Sequence, residues 1–158
     1  MAEIDKDSFR AAVGLLPTGV TVVTAIGPNG RSGATASAVG PLSLEPMLML
    51  VCLDRDSRTL RSVQEAGRFG VDVLAADQEA VARQFSTKLD GPDKWQGVAW
   101  SERNGIPALD GSVLWVGCEL QDVLMGGDHV ILTGAVADLE ARDGEPLIHH
   151  RGAYRGLG

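Results

Sequence analysis

The sequence predicts a mainly β fold, an antiparallel sheet forming a closed or partly open barrel with a few peripheral helices. Two observations carry this. Runs rich in β-branched and apolar residues recur at 18–26, 47–53, 69–74, 112–124 and 129–139. Reversal signals, Gly27-Pro28-Asn29-Gly30 and Gly126-Gly127-Asp128, separate neighbouring runs. Only three segments keep helical spacing.

Taken in order, residues 5–16 place Phe9, Val13 and Leu16 on one helical face, with Asp5 or Asp7 as cap and Pro17 as stop. TGVTVVTAI at 18–26 reads as a strand, and Arg31 to Val39 as its hairpin partner. That second strand is built of small residues, Gly33 to Ala38, a composition that marks close approach of another group to the backbone. Met47 to Leu53 is continuously apolar, as for a strand covered on both faces. Ser57 caps a helix through Leu60 and Val63 that Gly67 ends. Phe69 to Leu74 alternates as a strand, and Asp77 caps a helix carrying Val81 and Phe85. Ser86 to Pro107 is expected to be a long polar connection. Leu114, Val116, Cys118 and Leu120 share one face of the next strand, and His129 to Leu139 forms the last clear one.

Size and charge narrow the function classes. At 158 residues the chain is expected to be a single domain over 1–158, long enough to bury about 68–70% of its unfolded surface without a disulfide or metal. Hydrophobic residues at 44% against 22% charged exclude a disordered chain. A net charge of −7 and a pI near 4.8 fit a nucleic-acid binder poorly. No run approaches the ~20 apolar residues of a membrane span. MAEIDKDSFR lacks the plan of a secretory signal, and Cys52 and Cys118 sit apart in apolar runs, so a cytoplasmic location is expected.

The common motifs of catalysis are missing. Gly27, Gly30 and Gly33 do not make GxGxxG, and there is no GxxxxGK[ST], HExxH or GxSxG. His149-His150 lacks a supporting Cys or carboxylate cluster, so no metal site is expected.

Four segments together resemble the flavin reductase family: Phe9-Arg10 with Thr18 to Thr24; Gly33-x-Thr35-x-Ser37 continuing to Leu42-Ser43-Leu44-Glu45-Pro46; Leu50 to Leu53 with Ser57-x-Thr59; and Gly127-Asp128-His129 with Tyr154. The resemblance spans roughly residues 8–155 and implies an antiparallel, Greek-key-like split β-barrel. It implies FMN or FAD at Thr18, Thr35, Ala36, Ser37, Ala38, Ser43, Cys52, Leu53, Asp54, Ser57, Arg58, Thr59, Phe85, Ser86, Lys88, His129 and Tyr154. It also places His129 beside the nicotinamide of NADH or NADPH, as the catalytic residue, with Arg10 and Tyr154 as weaker candidates for that pocket. Trp95 stands where the family often has Phe, and Gly40-Pro41 replaces a bulkier stretch.

The residues suit such a ligand on their own chemistry. A flavin ring wants an apolar slot with backbone donors and acceptors, which Thr35-Ala36-Ser37 and the turn to Leu42 offer; the same residues would also serve a tightly packed barrel strand. Ser57-Arg58-Thr59 puts hydroxyls, amides and a guanidinium at a helix start, where an anion is favoured, though Ser57 also serves as a plain cap. His129 reads equally as a turn histidine bonded to Asp128, and Tyr154 as a cover for the barrel end. Lys88 and Lys94 read as solvated unless the loop after Phe85 meets the flavin.

The resemblance implies an NAD(P)H:flavin oxidoreductase that supplies reduced flavin to a partner monooxygenase, working as a homodimer. Hydride transfer between two cofactors needs little acid–base chemistry from protein, which fits a chain without triad or dyad. The rivals are a non-catalytic flavin- or haem-binding split barrel, a pyridoxamine-phosphate-type oxidase, for which no basic cluster is evident, and a purely structural barrel.

Overall fold

A computed structural model describes residues 2–89 and 91–158. The first helix, α1 (Lys6–Val13), starts at Asp5, whose carboxylate accepts the Ser8 N–H at 2.8 Å. None of its residues is buried; Phe9 and Val13 face outward. The strands β1 (Thr18–Gly19), β2 (Thr21–Gly27), β3 (Gly30–Ala36), β4 (Val39–Leu44) and β5 (Met47–Asp54) follow without an intervening helix. Next come α2 (Arg58–Ala66), β6 (Arg68–Val73), α3 (Glu79–Phe85) and α4 (Gly91–Lys94). The strands β7 (Trp100–Arg103), β8 (Ile106–Leu109), β9 (Leu114–Gly126), β10 (His129–Ala141), β11 (Ile148–His150) and β12 (Ala153–Arg155) complete the chain.

Seven strands form one antiparallel sheet in the order β3-β2-β6-β9-β10-β5-β4. Its two ends meet, because the chain passes from β3 to β4 in two residues and the Ala38 carbonyl accepts the Cys52 N–H of β5 at 2.9 Å. Register shifts at Thr133/Gly134 and Val136/Asp138 bend β10, the local device by which a sheet curls into a barrel. The expected mainly β split barrel is the observed architecture.

Strand β2 is buried throughout its first five residues because its two faces serve two cores. Val23 and Ala25 join Phe69, Val71, Val116, Cys118, Leu132 and Val51 inside the barrel. Val22 turns to the other side, with Leu74, Phe85, Trp95 and Leu109 under α3. Burial on both faces explains why TVVTAI is apolar without alternation. Strand β6 divides in the same way, and its outward Asp72 is fully buried, accepting the Leu109 N–H at 3.0 Å and the Ser112 hydroxyl at 3.1 Å. The β7–β8 hairpin is held further by Arg103, which pairs with Asp138 at 2.9 Å and with Glu140 on β10.

The α2 expectation is met in detail: Ser57 Oγ accepts the Leu60 N–H at 3.3 Å, and Gly67 ends the helix at φ 70°, a left-handed position that favours glycine. Four other expectations are corrected. Asp77 does not cap α3; Gln78 holds the cap position, and its side chain accepts the Ala75 N–H and donates to the Asp110 carbonyl. The returning strand ends at Ala36, and a bend at 37–38 starts the separate strand β4. Residues 86–107 contain α4 and the β7–β8 hairpin, whose Asn104-Gly105 turn (φ 54° and 76°) is the signal that the polar composition obscured. Strand β5 is not covered on both faces: Val51 and Leu53 are buried, whereas Leu48, Leu50 and Cys52 on the other face are only partly buried. Its second face borders the cavity described next.

Candidate functional site

Three neighbouring cavities share the residues of β3. The first, about 220 Å³, lies against Thr35 to Ala38, Cys52 to Asp54 and His129. Another of about 520 Å³ shares Ala34, Thr35, Asp54 and Ser57 with it, and reaches Arg58, Thr59, Phe85, Ser86, Lys88 and Lys94. A third, about 120 Å³, meets Thr35 to Ser37 from the side of Ser86, His149 and Tyr154. The shared lining residues set the three cavities side by side along β3, here called the groove, with an imidazole at one end and basic and hydroxyl groups at the other.

The small residues of β3 divide into two uses. Gly33 is small because the Phe85 ring occupies the place of its Cβ, which is core packing. Ala34 to Ala38 line the groove. Thr35 is anchored there, its hydroxyl donating to the Ala82 carbonyl of α3 at 2.7 Å, and Thr21 donates to the Ala36 carbonyl at 2.6 Å.

The turn from β5 into α2 is built by Asp54, whose carboxylate accepts the Asp56 N–H at 2.8 Å and whose carbonyl accepts the Ser57 N–H at 3.0 Å. That turn aims the first residues of α2 at the groove, where the helix dipole favours an anion. Lys94 lies half-buried across from it and donates to the Gly33 carbonyl at 3.2 Å. Burial, and then the Arg58 charge, push its ammonium below the usual lysine range. An anion here would offset the Arg58 repulsion and favour the charged ammonium.

At the opposite end His129 pairs with Asp54 across the β5–β10 ladder. Its Nδ1 stands 2.8 Å from Asp128 Oδ1, and this hydrogen bond, with the imidazole charge, holds the Asp128 carboxyl below its ordinary range. The turn bond and the place at the groove therefore hold together, since Nδ1 is engaged and Nε2 has no hydrogen-bond partner among the described residues. The Cys52 thiol is pushed up by burial and stays protonated, so it offers the groove a neutral wall.

Of the residues named from sequence, Thr18 and Ser43 line none of the three cavities. Thr18 pairs with His149 on β11, its hydroxyl buried without a partner, and Ser43 lies on the edge strand β4 opposite Leu48. Arg10 lies on the exposed helix α1, paired with Asp7. Sequence reasoning treated Lys94 as a solvated loop residue; its place depends on α4 folding back on the edge of β3, which no local signal announces. His149, dismissed with its neighbour as a metal ligand, packs edge-on against Tyr154 with ring centroids 5.5 Å apart. Tyr154 also lies beneath the Arg83 guanidinium at 5.0 Å.

Comparison with known proteins identifies similar chains. A profile described as a flavin reductase like domain matches residues 13–158. The reductase subunit of a flavin-dependent monooxygenase from Rhodococcus jostii is 38% identical over 156 residues, covering 98% of this chain and 79% of that protein. A flavin reductase (NADH) from Kitasatospora aureofaciens is 38% identical over 157 residues, covering 96% and 81%. Among solved structures, the NADH:FAD oxidoreductase of Streptomyces globisporus in complex with NAD and FAD fragments superposes with a TM-score of 0.92 at 32% identity, covering 99% of this chain and 98% of that one.

Proposed function

This chain belongs to the flavin reductase family, and we propose that the groove along β3 is where its flavin and nicotinamide meet. It is an NAD(P)H-dependent flavin reductase, and the reduced flavin passes to a partner monooxygenase. The flavin supplies the hydride-accepting chemistry; the residues of this chain bind, orient and exclude water.

The observation that carries the proposal is that the cavities along β3 share their lining residues. This sets small side chains, which let a flat ring approach the backbone, beside a cluster of groups suited to a phosphate. Ser57, Arg58, Thr59 and Lys88 hold the phosphate, with Lys94 added to them by the fold. Thr35 to Ala38 and Cys52 to Asp54 bound the ring, presenting backbone and short side chains that allow close contact. Phe85 backs the groove from the core, and Ser86 and Tyr154 close its third lobe. His129 stands where the nicotinamide enters. With Nδ1 tied to Asp128 it presents Nε2 in a fixed orientation, a positioning role for a reaction that depends on reacting atoms held about 3–3.5 Å apart.

The chain works as a homodimer in this reading. Leu42, Leu44 and Met47, together with Val123, Leu124 and Met125, are exposed in the single chain, and so is the apolar face of α1. Exposed apolar side chains gathered on neighbouring strands suit a protein–protein contact. No helix among the described residues is long and apolar enough to cross a membrane, and the free thiols Cys52 and Cys118 accord with the cytoplasm.

The test is NADH and NADPH oxidation by the purified protein with FMN, FAD and riboflavin titrated in. Flavin-dependent oxidation is expected, along with a scattering mass of twice the 16.6 kDa chain. Failure to oxidise either nucleotide with any flavin overturns the proposal.

A further inference from the structure

The cavity of about 120 Å³ borders both of its neighbours. It shares Thr35, Ala36 and Ser37 with the cavity at the His129 end, and Thr35 and Ser86 with the one at the start of α2. The rest of its wall comes from Val20 and from His149 and Tyr154 of the small sheet β1-β11-β12. In that sheet His149 stands opposite Thr18 on one side and Tyr154 on the other. Residues directly opposite across an antiparallel ladder share a face.

The His149 imidazole is held by packing and not by hydrogen bonds. It meets the Tyr154 ring edge-on and bonds to no described residue. The hydroxyl of Thr18, directly opposite, also lacks a partner, so the two do not bond to each other. Tyr154 is fixed in turn beneath the Arg83 guanidinium, which Glu79 holds at 2.7 Å. His149 is half-buried, so it gives up part of its water without gaining a protein partner. A phenyl ring would pack on Tyr154 equally well; the ring nitrogens of His149 are left for a ligand in the cavity that it lines.

We propose that His149 contacts the flavin itself, donating a hydrogen bond to the N1–C2=O edge of the ring that strengthens when the flavin is reduced. The proposal rests on the flavin groove above. A ring along Thr35 to Ala38 with its phosphate at the start of α2 has its ring–tail junction near Thr35, which lines all three cavities. The tail leaves the ring at its central nitrogen, with N1–C2=O on one side and the benzenoid ring on the other. Only the first of these accepts a hydrogen bond. Hydride transfer breaks a C–H bond of the nicotinamide and forms an N–H bond at flavin N5. It delivers two electrons and one proton, and the charge not neutralised by that proton settles on N1–C2=O. A hydrogen bond to an ionised acceptor is roughly twice as strong as one between neutral groups. His129 thus serves the nicotinamide and His149 the flavin.

The experiment titrates oxidised and dithionite-reduced flavin, FMN and FAD in turn, into flavin-free protein without oxygen, followed by tryptophan fluorescence. Wild type is compared with His149→Phe, which keeps the edge-on packing, and His149→Gln, which keeps a donor. In His149→Phe the dissociation constant of reduced flavin is expected to rise about tenfold, and that of oxidised flavin less than about threefold. His149→Gln should recover most of the loss. His150 alternates to the opposite face of β11, and His150→Gln should leave both constants within about twofold. Unchanged binding of reduced flavin in His149→Phe overturns the proposal. So does an equal loss for both redox forms, which a packing role alone would give. NMR of the imidazole nitrogens in wild type reports even if a variant does not fold: the His149 resonance should move further with reduced than with oxidised flavin, and an unmoved resonance overturns the proposal. A wild-type protein that binds neither form overturns the groove assignment itself, which separates the two failures.

Discussion

A Cβ at Gly33 would stand 2.6 Å from Cε1 of Phe85. The strand that forms the floor of the groove and the helix that forms its wall are thus in contact through an absent side chain. Trp95 adds to the restriction at 3.3 Å and packs edge-on against Phe85, ring centroids 4.9 Å apart. Gly33→Ala is expected to destabilise the protein by about 1–3 kcal/mol, the usual cost of overpacking. It should also weaken flavin binding by moving α3. Urea unfolding and flavin titration on one preparation check both.

Ser57 serves both α2 and the groove, and glycine separates the two uses. Glycine at an N-cap costs only a few tenths of a kcal/mol relative to serine. Ser57→Gly should therefore leave the unfolding midpoint nearly unchanged while raising the flavin dissociation constant several-fold. Parallel loss of stability and affinity would assign the hydroxyl to the helix alone.

For His129 the expected signature lies in the nicotinamide. His129→Ala should lower kcat/KM for NADH about tenfold or more, a loss of ~1.4 kcal/mol. The flavin dissociation constant should change less than about threefold. Stopped-flow reduction at varied NADH distinguishes the two steps, and a variant that reduces flavin at the wild-type rate contradicts the assignment.

Asp72 makes stability depend on pH. Burial raises its carboxyl from 3.8 to about 8, against smaller opposing effects of the Leu109 N–H, the Ser112 hydroxyl and Arg142. The folded protein therefore retains a proton that the unfolded chain has lost. The stabilisation is complete below the unfolded pKa and declines as pH rises from about 4 to about 8. Asp72→Asn carries no charge and should flatten this slope. Thermal melts at pH 5 and pH 9 should show the variant gaining on wild type at the higher pH by ~2 °C or more, about 1 kcal/mol in a domain of this size.

The strand runs, the β2–β3 hairpin and the capped, glycine-stopped α2 were legible because each depends on neighbours in sequence: side-chain alternation, turn geometry and a cap three residues from its amide. Much of the groove was legible too, through the small residues of β3 and the Ser-Arg-Thr run at a helix start. The Asn104-Gly105 hairpin was equally local and was hidden only by the polar stretch around it. Other features had no local signal. Lys94 looked like any loop lysine until α4 brought it to the Gly33 carbonyl, and Asp72 occupied an ordinary alternating strand until the β8 turn sealed it.

Local order in this protein was set by the sequence itself, through interactions spanning a few residues. Which side chains share a cavity, which charges lose their water and which apolar faces stay open were decided by the tertiary structure. The reason is that these depend on strands such as β3, β5 and β10 meeting across the barrel, where burial and electrostatic contact involve residues far apart in the chain.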